Sequence, residues 1–217
     1  LNTINTSSIW AMFYQDISIT TIDLSNFDTR NLVIMRDIFK GCTSLQSVDL
    51  TGFNTSNVEN MFGVFTNTLI EYLDISMFDM NKVTDTTGML SGMTNLKQLK
   101  TPKVYPNDTS VTVTLPKTMY DSNLVGYSSL GKSTSPTSLT QTIIKEGYTV
   151  SFNADGGSVN PTSMIVRYGE NYGNLPTPTK TGYTFTNWEG GSKNLLNINV
   201  PESTPSSLIA ANTEKRS

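Results

Sequence analysis

From residue 22 onward, apolar residues return to the same places at a nearly constant interval. Ile22-Asp23-Leu24, Val48-Asp49-Leu50 and Leu73-Asp74-Ile75 open three copies, and the steps from Ile22 to Val48, Leu73 and Leu99 are 26, 25 and 26 residues. Within each triplet apolar and polar positions alternate, the period of a half-buried strand. Phe27, Phe53 and Phe78 occupy one column after these triplets and are expected to stack in a shared core. In the second copy Ser56-Asn57-Val58-Glu59 has the form of a capping box. Val58, Met61 and Phe65 follow at helical spacing, so the pattern predicts a short helical turn or two. Gly41, Asn67 and Gly92 then form a column of residues suited to a left-handed helix-ending conformation. A period of this length is the mark of stacked repeats.

The remainder of the chain departs from this pattern on both sides. Ile9, Met12, Phe13 and Ile19 fall 26 residues before Met35, Ile38, Phe39 and Leu45, so the sequence reads as a piece of a larger protein that starts inside an earlier copy. The repeats stop at Leu99-Lys100-Thr101-Pro102. Residues 111–115 and 139–144 read as strands of a small β cap, with Tyr120, Leu124, Tyr127 and Leu130 as its apolar contacts. From Tyr148 three strands are expected, at 148–153, 164–168 and 183–188, with a turn at Asp155-Gly156 and a loop marked by Pro176, Pro178 and Gly182. A last strand is expected at 197–200, and residues 213–217 read as an arbitrary end of the piece. The expected division is therefore a solenoid over 1–99, a β cap or linker over 100–146 and a third module over 147–217.

Two stretches resemble known families. Leu24-Ser25-Asn26-Phe27-Asp28-Thr29 and Phe39-Lys40-Gly41-Cys42-Thr43-Ser44-Leu45 resemble the BspA-like leucine-rich repeats of bacterial surface proteins, over about residues 9 to 102. The third copy departs, with Thr86 and Leu90 where the first has Met35 and Phe39. Val150-Ser151-Phe152-Asn153-Ala154-Asp155-Gly156-Gly157, Tyr168-Gly169, Leu175-Pro176 and Gly182-Tyr183-Thr184-Phe185-Thr186-Asn187-Trp188 are similar to the Listeria–Bacteroides repeat, also met as the B repeat of internalin-like proteins. That similarity covers about residues 147 to 191. The resemblances imply a mainly β protein with short helical turns: a leucine-rich-repeat solenoid, a β cap and a β-grasp-like module. They also imply a place outside a bacterial cell, at the surface or wall, with a Gram-positive host fitting the lack of disulfides.

Composition narrows the chemistry. The chain has 217 residues, 15 basic and 18 acidic side chains, no histidine and one cysteine. A net charge of -3 without a basic cluster argues against nucleic acid. No apolar run approaches the length of a membrane span, so no membrane insertion is expected. The single Cys42 precludes an intrachain disulfide and aligns with Met93, as a small buried apolar group would. Without histidine the commonest general base and metal ligand are missing. Residues 126–133 spell the P-loop pattern, but Pro136 and the surrounding Ser and Thr residues oppose the helix such a loop must open. Leu175-Pro176-Thr177-Pro178-Thr179 partly matches a cell-wall sorting signal, lacks its Thr-Gly pair and reads as a loop. No catalytic, metal or cofactor site is assigned.

The candidate site is the exposed side of the repeat strands: Thr21, Asp23 and Ser25, then Ser47, Asp49 and Thr51, then Tyr72, Asp74 and Ser76. Asp23, Asp49 and Asp74 are expected to stand on neighbouring strands about 4.8 Å apart, where carboxylates repel. Hydrogen bonds from Ser25, Thr51 and Ser76, with solvent, are the expected offset; a bound cation is the alternative. Asp28, Asn54 and Asp79 accept Asn for Asp, which points to a side-chain oxygen closing an Asx-type turn. Continuous repeat faces bind macromolecules. The expected role is a monomeric adhesion or interaction module that binds a host, matrix or neighbouring-cell protein or a glycan through this face. The alternative is a stalk that binds nothing, and no enzymatic activity is expected.

Overall fold

The computed structural model describes residues 3–132, 139–190, 193–194 and 207–214, and divides into two compact units, Leu1–Glu146 and Gly147–Ser217. In the first unit the predicted triplets form β1 (Thr21–Asp23), β2 (Ser47–Asp49) and β3 (Tyr72–Asp74), followed by β4 (Gln98–Lys100). β1 and β2 pair in parallel, Thr21 with Ser47 and Asp23 with Asp49. β3 and β4 pair likewise, Tyr72 with Gln98 and Asp74 with Lys100. Successive copies therefore lie side by side in register. Leu24, Leu50, Leu73, Ile75 and Leu99 are buried between them.

The expected helical turns are absent: no helix occurs among the described residues. In the segments 9–15, 35–41 and 61–67 the chain instead runs through successive turns in which alternate amides bond to the next copy. Phe13 N donates to Ile38 O (3.0 Å), Phe39 N to Val64 O (3.0 Å) and Phe65 N to Met89 O (2.9 Å). Gln15, Gly41 and Asn67 do the same to Lys40, Thr66 and Ser91. An amide committed to a neighbouring copy cannot also close the i to i−4 bond of an α-helix. A second obstacle is conformational. Gly41, Asn67 and Gly92 are left-handed as predicted, but so are Ala11, Asp37, Gly63 and Gly88, in the column four residues earlier, with φ between +54° and +66°. A left-handed residue in the middle of each segment breaks any helix there. The expected capping box is likewise not a cap, since Ser56 bonds through both N and Oγ to Asn54 Oδ1 (3.0 and 2.7 Å).

The core follows the columns. Phe27 and Phe53 stack at 6.5 Å between ring centroids, and Phe78 of the same column is fully buried. A second stack, Phe13–Phe39–Phe65, has centroid spacings of 5.7 and 5.7 Å. Cys42 is buried, with its thiol donating to Phe13 O at 2.8 Å. Buried threonines stitch copies together. Thr29 Oγ1 accepts from Asn54 N (2.7 Å) and donates to Asn54 O (3.1 Å); Thr55 Oγ1 does the same with Asp79 (2.8 and 2.9 Å).

Beyond β4 lie β5 (Val113–Tyr120), β6 (Gly126–Leu130) and β7 (Ile143–Asn153). The first two form an antiparallel hairpin. The starting residues of β7 pair antiparallel with β4, Leu99 opposite Ile144, and so cover an edge that would otherwise present unpaired backbone groups. Two expected strands are thereby moved: 111–115 becomes 113–120, and 139–144 begins only at Ile143. Tyr105 and Tyr127 pack inside this unit. The P-loop-like stretch is also settled for its described part. Gly126–Leu130 is strand β6, and Lys132 Nζ donates to Asn107 Oδ1 at 2.6 Å; Ser133 lies outside the described residues.

In the second unit, residues of β7 from Gly147 onward pair antiparallel with β8 (Ser163–Arg167) and parallel with β11 (Ser207–Glu214). β11 also pairs antiparallel with β9 (Tyr183–Gly190), which in turn pairs with β10 (Lys193–Asn194). The order is β8-β7-β11-β9-β10. Val150, Phe152, Val166, Tyr172, Trp188, Leu208 and Ala210 form its core, with the Trp188 indole N–H donating to Pro176 O at 2.8 Å. The strand expected at 197–200 falls outside the described residues. β11 itself has no counterpart among the strands expected from the sequence.

Candidate functional site

The strand face presents most of the residues expected there. Thr21, Asp23, Ser47, Asp49, Thr51, Tyr72 and Asp74 are exposed, and Ser25 is half-buried. Ser76 is a correction: only 8% of it is exposed, and its carbonyl accepts a hydrogen bond from Gln141 Nε2 (3.2 Å), so the chain leading into β7 covers that position. The face thus narrows at the third copy.

The aspartate column is built into the backbone. Asp23 Oδ1 accepts the amide of Ser25 (2.9 Å), Asp49 Oδ1 that of Thr51 (2.9 Å) and Asp74 Oδ1 that of Ser76 (2.8 Å). Each carboxylate ends its strand in an Asx turn, as Asp28, Asn54 and Asp79 do for the following bend (3.3, 3.0 and 3.0 Å). The Ser25 hydroxyl and amide hold the Asp23 carboxyl below its ordinary value. Burial pushes Asp74 up, but the Ser76 hydrogen bonds and Lys100, 3.5 Å away, outweigh it and keep that carboxyl low as well. Among the described residues no three acidic or cysteine side chains group closely enough to hold a metal ion.

What varies along the face is the position two residues before each aspartate and before Lys100: Thr21, Ser47, Tyr72 and Gln98. Here the structure adds a feature. The β1–β2 ladder and the β3–β4 ladder are separate, without strand pairing between β2 and β3. The interruption falls in the copy that is one residue short: Leu73 comes six residues after Asn67, where Val48 comes seven after Gly41 and Leu99 seven after Gly92. A groove of about 470 Å³ opens at this point, lined by Thr21, Gln46, Ser47, Leu69, Glu71, Tyr72 and Asn95. Tyr72 is 56% exposed beside it. Thr21, Ser47 and Tyr72 were legible as candidates; Gln46, Leu69, Glu71 and Asn95 were not, although the shortened step was there to be counted.

A second surface lies on the turn segments. The Arg36 guanidinium sits 4.5 Å from the Phe62 ring centroid and 5.9 Å from that of Trp10, and its Nε is 3.0 Å from Asp37 Oδ2. These contacts tie adjacent copies and lock the side chains involved. In the second unit, Gly156, Gly157, Ser158, Thr179, Lys180 and Thr181 line a polar hollow of about 500 Å³, where Lys180 is paired with Asp155 at 3.1 Å.

Two family models match the chain. Residues 1–103 are similar to the family described as Mycoplasma protein of unknown function, DUF285, and residues 148–205 to the Listeria-Bacteroides repeat domain. Both are families of bacterial surface proteins, and together they support a bacterial surface repeat protein. No curated protein matches the chain.

Proposed function

We propose that this chain is an extracellular recognition segment of a bacterial cell-surface protein, with its repeats forming a leucine-rich-type solenoid that binds a protein or glycan through the strand face. The two surface-protein families support the location. The observation that carries the binding role is the groove at the β2–β3 interruption, where the variable strand positions Thr21, Ser47 and Tyr72 meet. The aspartate column serves the backbone instead. Its carboxylates close turns, and their invariance along the stack is that of a building element. That internal use favours a second reading for the column, and for a chain without the groove: a spacer holding other domains away from the wall. No catalysis is assigned.

The test is binding of the purified chain to immobilised matrix proteins and to a glycan array. The same measurement is made on a Thr21→Arg/Ser47→Arg variant and on a triple Asp23→Asn/Asp49→Asn/Asp74→Asn variant. Saturable binding, lost in the arginine variant and kept in the asparagine variant, is expected. No saturation at concentrations on the order of tens of micromolar would leave the spacer reading in its place.

A further inference from the structure

We propose that the groove at the β2–β3 interruption is a binding site for a neutral oligosaccharide, with Tyr72 as the platform on which a sugar ring lies. The inference rests on the reading of the strand face as a recognition surface and names the ligand class for it.

Three properties of the groove lead to that class. The first is size: about 470 Å³ lies within the roughly 300–1,000 Å³ typical of small-ligand clefts. The second is the mixture of surfaces. Apolar surface from Tyr72 and Leu69 stands among polar side chains, and an exposed tyrosine ring offers a flat apolar face with a polar rim. The C–H faces of a pyranose ring are matched to such a surface, while its hydroxyls point outward in the plane of the ring. The third is the hydrogen-bonding inventory around that plane. Gln46 and Asn95 bring amides that both donate and accept, Thr21 and Ser47 bring hydroxyls that do the same, and Glu71 brings a carboxylate that accepts only. A sugar hydroxyl donates one hydrogen bond and accepts others, so it suits every group in this set.

Charge excludes the neighbouring ligand classes. No lysine or arginine lines the groove, and Glu71 places a negative charge there, which opposes phosphate, sulfate and acidic sugars. The position is held by backbone and not by side-chain adjustment. Gln46 N bonds to Thr20 O (2.8 Å), Leu69 N to Leu45 O (2.9 Å), and Gln98 N to Glu71 O (3.0 Å), so the walls are fixed before any ligand arrives. Preorganised walls reduce the entropy cost of binding.

The test is a titration of the ¹⁵N-labelled full chain with a glucose tetrasaccharide and, separately, an N-acetylglucosamine tetrasaccharide. The expected result is saturable shifts of the amides at 46–47, 69–72 and 95 with one of them. Tyr72→Ala weakens that affinity by about tenfold or more, Tyr72→Phe keeps most of it, and Glu71→Lys abolishes it. Because Tyr72 is exposed, a dispersed amide spectrum of the Tyr72→Ala chain confirms that the loss is not unfolding. Absence of shifts with both probes at concentrations on the order of 10 mM, or shifts that lie elsewhere and survive Tyr72→Ala, overturns the assignment. Binding of a matrix protein that is lost in the Thr21→Arg/Ser47→Arg variant, in a chain that ignores both sugars, overturns the saccharide alone and leaves the strand-face reading standing. A chain that binds neither overturns both.

Discussion

Replacing Gly63 and Gly88 by alanine, one at a time, separates two costs that occur together in the turn segments. Both glycines occupy the same column with nearly the same backbone, φ +63° and +66°. A left-handed alanine costs about 1–2 kcal/mol, part of which is recovered because alanine reduces the freedom of the unfolded chain by roughly 0.4–1 kcal/mol. At Gly88 nothing further is expected, since the nearest atoms to an added methyl are Thr66 Oγ1 at 3.8 Å and Ser91 Cβ at 4.0 Å. At Gly63 the methyl would overlap Asp37 Oδ1. That carboxylate is almost buried, 8% exposed, with Oδ2 3.0 Å from Arg36 Nε. Its Oδ1 is 3.2 Å from Lys40 Nζ, in ion-pair range but off hydrogen-bond alignment, so it has little room to move. Displacing a buried charged group from its partners adds roughly 1–3 kcal/mol. Gly88→Ala should therefore destabilise by about 1 kcal/mol and Gly63→Ala by about 2–4 kcal/mol. Urea unfolding followed on the amide signals of residues 3–132 measures both, without interference from the second unit. Asp37→Gly combined with Gly63→Ala should recover the difference. Equal costs at the two glycines would refute the packing of Asp37 over the neighbouring copy.

Two further perturbations probe other links between copies. Thr55→Val keeps the shape of a residue that is only 1% exposed but strands the amide and carbonyl of Asp79, and should cost roughly 1–3 kcal/mol. Thr55→Ser, which retains the hydroxyl, should cost less; a valine variant as stable as the parent in the same urea assay would refute the threonine ladder. Acid acts on the lowered aspartates: Asp23 and Asp74 titrate below their unfolded value, so their contribution is present above about pH 4 and lost as pH falls through the lower folded values. The melting temperature of the first unit should fall below about pH 4, and less steeply in an Asp23→Asn/Asp74→Asn variant; identical pH profiles would show that these turns do not depend on ionised aspartate.

The strands were legible because their signal is local. The triplets around Ile22, Val48 and Leu73 turn one side chain inward (half-buried in the first two, buried in the third) and expose two, and parallel stacking at a fixed step follows from that repetition. The turn segments were misread as helical because Val58, Met61 and Phe65 keep helical spacing while the backbone does not. The sign of this was the left-handed column, visible at Gly63 and Gly88 but concealed where Ala11 and Asp37 occupy it. β5 extended past its expected end because its register shifts between Thr114 and Met119, so strict alternation is lost midway. β11 escaped notice because its polarity does not follow its exposure: Leu208 and Ala210 are buried, but Ile209 between them is 49% exposed, so Leu208 to Ala211 reads as an unbroken apolar run. Of the site, the strand-facing residues could be read from period 2. The groove could not, since it arises from a residue missing between Asn67 and Leu73 whose effect is a separation between neighbouring strands.

The bonds between copies run in both senses: Phe13, Phe39 and Phe65 donate amides to the copy that follows, while Val33, Glu59 and Thr84 donate back to carbonyls of the copy before. A stack joined this way gives every copy donors and acceptors toward both neighbours, like courses of brick keyed above and below, and holds each in one register. It can grow or shrink only by whole copies, because any other insertion would put threonine opposite phenylalanine and a left-handed turn opposite a strand. Within that rule a copy may lose a single residue in its arch, as the one leading into β3 has done, and each such loss would part the strands once. The length of the stack and the number of grooves along it are thus independent quantities, one counted in copies and the other in missing residues.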